Sequence, residues 1–142
     1  VDKMYQYLIE LEEIASPFIL RIEGPVDAGN RTETMEYLQV LTKRINDNKH
    51  TVEIVADEWC NTLEDVKYFA DNQAGHMLQV KTPDLGGITN IIEALLYCQQ
   101  KGVLILSAGT YGNVIRLLPP LVMPEHLLKE ALEILDEALA QA

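Results

Sequence analysis

The chain alternates helical and extended segments along most of its length, and this alternation limits the folds open to it. Apolar residues recur at helical spacing over 2–15, after Asn30, over 63–70 and over 88–100. Short strand-like runs at 18–23, 52–57, 77–81 and 103–106 follow these helices in turn. Strands joined by helices form parallel sheets with right-handed crossovers. The sequence therefore predicts an α/β fold with a mostly parallel sheet in a single domain over 1–142.

Two of the helices inside this alternation carry recognisable start signals. Asn30 with Glu33 and Thr62 with Asp65 have the spacing of a side-chain cap and its partner. Gly102 is placed to end the helix over 88–100, which is apolar on more than one side and is therefore predicted to be deeply buried.

The last third of the chain departs from the βα alternation. The strand over 103–106 is apolar at every position, a pattern typical of a strand covered on both faces. A turn cluster at 109–113 and a fifth strand over 114–118 predict an antiparallel hairpin at the edge of the sheet. A last amphipathic helix begins near Pro124, and Leu128, Ala131 and Leu135 lie on one face of it.

Charge and cysteine content exclude several classes of function. The chain has 22 acidic and 11 basic residues and a net charge of −11, which opposes binding to nucleic acid and to anionic membranes. Cys60 and Cys98 show neither metal-ligand spacing nor a disulfide framework. No apolar run reaches the roughly 20 residues that a membrane span needs. We expect a chain of cytoplasmic origin, or one produced recombinantly, with no nucleic-acid or membrane partner.

Three ionisable residues occupy equivalent positions, because Glu23, Asp57 and Lys81 each close a predicted parallel strand. Sites in parallel sheets and barrels form at the carboxyl ends of the strands. Two carboxylates there suit a hard divalent cation, and a lysine with a lowered pKa can act as a base. Charged residues also collect at strand ends simply because those ends are near solvent, and spacing alone leaves both interpretations open.

Three runs carry a resemblance to a known family: LRIEGP at 20–25, VADEWCN at 55–61 and GHMLQVKTPDLGG at 75–87. They resemble the methylaspartate ammonia-lyases of the enolase superfamily over residues 1–102, in which the fold is a (β/α)₈ barrel. The resemblance implies that Glu23 and Asp57 are two of three Mg²⁺ ligands, that Lys81 is the base and that Gln79 binds substrate.

The same resemblance leaves parts of that site unaccounted for. The third metal ligand of the family, an aspartate on the preceding strand, lies upstream of Val1, and no histidine of this chain matches the family's acid/base histidine. With two carboxylates beside Lys81, we expect no bound Mg²⁺ under ordinary conditions.

The segment 103–142 resembles a different family. Residues 101–107 (KGVLILS), 111–116 (YGNVIR) and 119–121 (PPL) are similar to the C-terminus of class III aminotransferases of the 4-aminobutyrate type. There, the arginine matched by Arg116 binds a substrate carboxylate. The pyridoxal phosphate lysine of that family has no counterpart here, so pyridoxal phosphate is not expected.

Two families in one chain suggest an engineered chimera joined near 99–103. We predict a scaffold without evolved activity, with a Mg²⁺-dependent carbon–nitrogen lyase fragment as one alternative and a small-molecule anion binder using Arg116 as another. Half a barrel would leave a bare sheet face, so we expect the first and last helices to cover it in a three-layer sandwich. The alternative is a half-barrel that forms a homodimer.

Overall fold

The computed structural model describes residues 1–105, together with 124, 126, 127, 129, 130, 133 and 134. The chain divides into two compact units, Val1–Leu106 and Ser107–Ala142. In the second unit, the described residues between 126 and 134 are helical, in agreement with the predicted last helix. The predicted hairpin, its fifth strand at 114–118 and Arg116 lie outside the described residues. The single domain over 1–142 stays a prediction.

The first unit is built of helices and strands in alternation. Its helices are α1 (Asp2–Ala15), α2 (Arg31–Asp47), α3 (Leu63–Asp71), a single turn α4 (Thr82–Leu85) and α5 (Ile88–Lys101). Its strands are β1 (Arg21–Glu23), β2 (Glu53–Ala56), β3 (Met77–Leu78) and β4 (Leu104–Ile105). The strands form one sheet in the order β1-β2-β3-β4, and every adjacent pair is parallel. The α/β fold with a mostly parallel sheet is confirmed.

The predicted helix caps are present with the expected donors and acceptors. The side chain of Asn30 accepts a hydrogen bond from the backbone N–H of Glu33, and Thr62 accepts one from that of Asp65. These bonds satisfy N–H groups that the first turn of a helix leaves without partners. Gly102 ends α5 with a φ of 72°, a left-handed conformation that glycine adopts without steric cost.

The core lies between one face of the sheet and the helices. Residue alternation puts Ile54, Ala56 and Leu78 on this face, and all three are fully buried in a cluster with residues of α2, α3 and α5. α1 contributes Tyr5 and Leu8 to the same cluster. The structure thus differs from the three-layer prediction at α1, which joins the helices on this face rather than covering the opposite one.

Two predictions of deep burial are wrong. In α5 only Ala94 and Cys98 are buried, while Ile88, Ile92 and Leu96 are each about half exposed. In β4, Leu104 is 55% exposed, although Val103 directly before the strand is buried. A helix that packs on one face of a sheet buries one stripe of its side chains, and apolar side chains outside that stripe stay exposed.

Within the described residues, no helix has both the length and the hydropathy to cross a membrane.

One ion-pair network ties α1 to the loop before β2 and gives a pH-dependent prediction. The Glu12 carboxylate accepts hydrogen bonds from the backbone N–H and the hydroxyl of Thr51, and its other oxygen lies 2.7 Å from Nδ1 of His50. Burial opposes the charged form, but the bonds from Thr51 and His50 outweigh it and lower the pKa of Glu12.

We expect Glu12→Gln to lower the free energy of unfolding by about 1–2 kcal/mol at pH 7, since bonds to a charged acceptor are lost. A carboxyl with a lowered folded-state pKa stabilises the protein above its unfolded pKa, and this contribution disappears as the pH falls through the folded value. Urea unfolding at pH 7 and near pH 3 should therefore show a difference that shrinks in acid. Glu13→Gln, at an exposed neighbour, is the control. An equal effect at both pH values would contradict the assignment.

Candidate active site at the carboxyl edge of the sheet

The carboxyl ends of β1, β2 and β3 bring three ionisable side chains to one edge. Glu23 is the last residue of β1 and Asp57 follows β2 directly. The backbone N–H of Gln79 donates to the carbonyl of Ala56. This hydrogen bond keeps the segment after β3 beside β2, and Lys81 follows two residues later. Adjacent parallel strands end at the same edge, which is why residues distant in sequence meet here.

Lys81 and Asp57 form an ion pair within this edge. The Lys81 ammonium lies 2.7 Å from one carboxylate oxygen of Asp57 and 2.5 Å from the other. The Asp57 side chain is 12% exposed and that of Lys81 is 45% exposed. The hydrogen bond to Asp57 is the main cause that raises the pKa of Lys81. Lys81 is therefore a charged ammonium at neutral pH in this arrangement, and it can act as a base only after it has lost a proton, which the ion pair with Asp57 opposes.

Glu23 completes the group as a second carboxylate beside Asp57. Its pKa is raised, first by burial, then by a hydrogen bond shared with Asp57 and by the repulsion of that charge, while Lys81 acts in the opposite direction. Two carboxylates held this close repel each other, and a nearby cation relieves that repulsion. Within the part of the chain that the structure describes, no three His, Cys, Asp or Glu side chains are grouped to hold a metal ion.

A cleft of about 380 Å³ opens beside the ion pair. Besides Asp57 and Lys81 it is lined by Asp27, Glu58, Trp59 and Asn61. Sequence reasoning missed these four residues as site residues. The signal that could have revealed them is their position in the loops that directly follow β1 and β2, where sites in parallel α/β folds form.

A glycine makes room for one of these side chains. A Cβ atom at Gly24 would lie 2.5 Å from a carboxylate oxygen of Glu58, and the φ of Gly24 is +54°. The positive φ therefore favours glycine directly after β1, whereas the flexible end of the Glu58 side chain could move away from an added Cβ atom. The pair Gly24-Pro25, which in the sequence marks only the end of a strand, also admits the Glu58 carboxylate to the edge.

The structure describes one of the two predicted substrate-binding residues. Gln79 is half-buried, and alternation along the chain puts it on the same side as Lys81. Arg116 lies outside the described residues. The roles assigned to Gln79, Lys81, Glu23 and Asp57 remain predictions.

Parallel βα units with ionisable residues at the carboxyl edge are the arrangement of enolase-superfamily barrel proteins, and solved structures of that class share this fold. A crystal structure of β-methylaspartase from Clostridium tetanomorphum, described as a Mg complex, matches with a TM-score of 0.70 and 50% identity. That match covers 71% of this chain and 24% of the other.

Sequence comparison resolves the family within that class. The family described as "Methylaspartate ammonia-lyase C-terminus" matches residues 1–114. Methylaspartate ammonia-lyase 2 of Carboxydothermus hydrogenoformans is 53% identical over 116 residues, which are 82% of this chain and 28% of that protein. The chain therefore belongs to the methylaspartate ammonia-lyase family. It spans about a quarter of the length of these relatives.

A weaker similarity concerns the C-terminal part of the chain. A 4-aminobutyrate aminotransferase of Mycobacterium leprae is 55% identical over 38 residues, which are 27% of this chain and 8% of that protein. The lyase-family match continues to residue 114, past Gly102, where we predicted the lyase resemblance to end. The two similarities confirm the resemblance to both families, and the chimera stays a prediction.

Proposed function

We propose that this chain carries the metal-binding and proton-accepting part of a Mg²⁺-dependent carbon–nitrogen lyase of the methylaspartate ammonia-lyase type. The observation that carries the proposal is the group at the carboxyl edge, where the Glu23 and Asp57 carboxylates adjoin each other and Lys81 binds Asp57. Family membership supports the proposal. Because the chain spans about a quarter of its relatives, the activity of those whole proteins is extended to it only as a proposal.

The two carboxylates fit a hard divalent cation. Carboxylate oxygens are ligands that Mg²⁺ prefers. The pKa of Glu23 is raised first by burial and then by the neighbouring Asp57 carboxylate, whose repulsion a bound cation would relieve. Glu23 and Asp57 would hold the ion, and water would complete its shell. When bound, Mg²⁺ would stabilise negative charge on the carboxylate of the substrate.

Lys81 is the residue proposed to move the proton. As a base, its neutral amine would take the proton from the carbon next to the substrate carboxylate. The electron pair of that C–H bond would form a C=C bond, and the electron pair of the breaking C–N bond would leave with ammonia. The ion pair with Asp57 opposes this role because it keeps the amine protonated. A cation at Asp57 would compete for the same carboxylate oxygens and would lower the pKa of Lys81 by repulsion. Gln79, on the same side, is proposed to contact the substrate.

A second proposal is a chimeric scaffold without evolved activity. It is favoured by the aminotransferase-like segment and by the ammonium of Lys81, which binds both oxygens of a proposed metal ligand. Under this proposal the edge is a remnant in which an ion pair replaces the metal. The anion-binding alternative depends on Arg116, outside the described residues, and it stays a prediction.

A steady-state assay separates the two proposals. The lyase proposal predicts that 3-methylaspartate is converted to mesaconate, followed by ultraviolet absorbance, at a rate that requires Mg²⁺ and falls at least about 100-fold in Lys81→Ala, the lower range for loss of a general base.

The matched control is Lys67→Ala, which removes a lysine paired with Glu93 on the helical side of the molecule. It should leave the rate within about twofold. A wild-type chain that is folded and shows no Mg²⁺-dependent rate would overturn the lyase proposal and favour the inactive scaffold.

A further inference from the structure

A second cleft, of about 460 Å³, lies between the second half of α2 and the end of α3. It is lined by residues of α2 between Gln39 and Asp47 and by Asp71, Asn72 and Gln73, none of which belongs to the candidate active site. Oδ1 of Asn46, in its wall, lies 3.1 Å from Nε2 of His76, which directly precedes β3. This cleft is therefore at the amino edge of the sheet, opposite the group around Lys81.

Thr42 contributes a buried polar group to the wall of this cleft. Along α2 it lies one turn from the buried Leu38 and one turn from Asn46, so it is at the border between the core face and the cleft face of the helix. Its side chain is only 3% exposed, and within the described part of the chain its hydroxyl has no hydrogen-bond partner. A buried hydroxyl without a partner is costly, so a ligand in the cleft that bonds to it gains that missing interaction.

Two side-chain amides after α3 add acceptors to the same wall. Nδ2 of Asn72 donates to the carbonyl of Tyr68 at 2.8 Å. Nε2 of Gln73 donates to the carbonyls of Ala70 at 3.1 Å and of Lys101 at 2.9 Å. These bonds fix the nitrogen of each amide and leave its oxygen to accept from elsewhere. No donor among the described residues bonds to either oxygen, so the wall is rich in acceptors without partners.

The electrostatics of the cleft favour a cation with a single charge. α2 ends at Asp47 and α3 ends at Asp71, so the carboxyl ends of two helices, which carry partial negative charge, adjoin the cleft. Lys43 lies 2.5 Å from Asp47 and Lys101 lies 2.6 Å from Asp71, so the two carboxylates are already balanced. The helix ends thus supply the remaining negative potential, and the net charge of −11 opposes an anion.

We propose that the cleft between α2 and α3 binds a small primary ammonium compound with a short alkyl chain. Its ammonium group donates hydrogen bonds to the hydroxyl of Thr42 and to the amide oxygens of Asn72 and Gln73. Its alkyl chain packs against Val40, the apolar side chain in the described lining. The inference does not rest on the proposed lyase function, since the two sites share no residue.

Calorimetric titration of the full chain with butylammonium chloride at neutral pH tests the inference. We expect saturable binding of one equivalent in the millimolar range. Thr42→Val, which keeps the shape of the side chain and removes the hydroxyl, should weaken binding about tenfold, equivalent to about 1.4 kcal/mol. The matched control is Thr89→Val, at an exposed position of α5, and it should bind as the wild-type chain does.

The thermal unfolding of Thr42→Val without amine supplies a second measurement. Because the substitution removes a buried hydroxyl that has no partner, its melting temperature should equal or exceed that of the wild-type chain. A lower melting temperature would show that the hydroxyl already has a partner in the protein, and would overturn the assignment of Thr42 to a ligand.

Two further compounds test the chemical class of the ligand. 1-Butanol, which has the same chain without the charge, should bind at least about tenfold more weakly than butylammonium. Potassium chloride should give no saturable heat, because K⁺ lacks both the N–H donors and the chain. The inference is overturned by a wild-type chain that does not bind butylammonium, by equal binding of 1-butanol or K⁺, or by unchanged affinity in folded Thr42→Val.

Discussion

Phe69→Ala is expected to lower the free energy of unfolding by about 3–5 kcal/mol, the range for removing a large aromatic side chain from a packed core. Phe69 lies on α3, is fully buried and packs edge-on against Tyr68 with ring centroids 6.0 Å apart. The substitution leaves a cavity that the surrounding helices fill only partly. Since a domain of this size has a total stability of about 5–15 kcal/mol, the loss is a large fraction of it. Urea unfolding followed by far-ultraviolet circular dichroism measures the change.

The chain provides its own control, because it contains two phenylalanines. Phe18 is 79% exposed, so Phe18→Ala should change the free energy of unfolding by less than about 0.5 kcal/mol. Comparable effects of the two substitutions would show that the described core does not control stability.

Lys81→Met is expected to tighten Mg²⁺ binding roughly tenfold, equivalent to about 1.4 kcal/mol. In the wild-type chain the Lys81 ammonium binds both oxygens of Asp57 and repels a second cation. We expect wild-type affinity to be millimolar or weaker for this reason, and methionine removes the charge while keeping a side chain of similar length. Asp57→Asn should instead weaken binding beyond detection. Calorimetric titration with Mg²⁺ alone measures all three proteins.

The control for this experiment is Lys67→Met, whose ion pair with Glu93 is remote from the edge in the fold. It should bind Mg²⁺ as the wild-type chain does. Sub-millimolar binding by the wild-type chain, or unchanged affinity in Lys81→Met, would contradict the view that the ion pair competes with the metal.

Local sequence signals predicted the order of elements well, because those signals act between near neighbours. The caps at Asn30 and Thr62 and the stop at Gly102 involve residues within one helical turn, and each appears as expected. Strand lengths were less predictable. β1 begins at Arg21 rather than at Phe18, because its register pairs Arg21 with Glu53, the first residue of β2.

Burial was the least predictable property, because it depends on what lies opposite an apolar side chain. The sequence of α5 is rich in apolar residues on several sides, and the helix nevertheless buries one stripe against α3 and the sheet. Leu104 in β4 is likewise more than half exposed, although the strand sequence is apolar. Composition predicts that a residue is compatible with a core, and the neighbouring elements decide whether it reaches one.

The sequence by itself determined the α/β class and the three ionisable residues at strand ends, since Glu23, Asp57 and Lys81 follow from strand periodicity and from family motifs. The tertiary structure decided which groups touch. It shows that Lys81 binds Asp57, that Glu58 lies against Gly24 and that Asp27 holds Trp59. These contacts join residues from different βα loops, and their geometry depends on the parallel register of the strands. Periodicity relates residues that are close in sequence, whereas strand register and loop packing relate residues that are distant in sequence. The contacts within the candidate site could therefore be identified only from the folded structure.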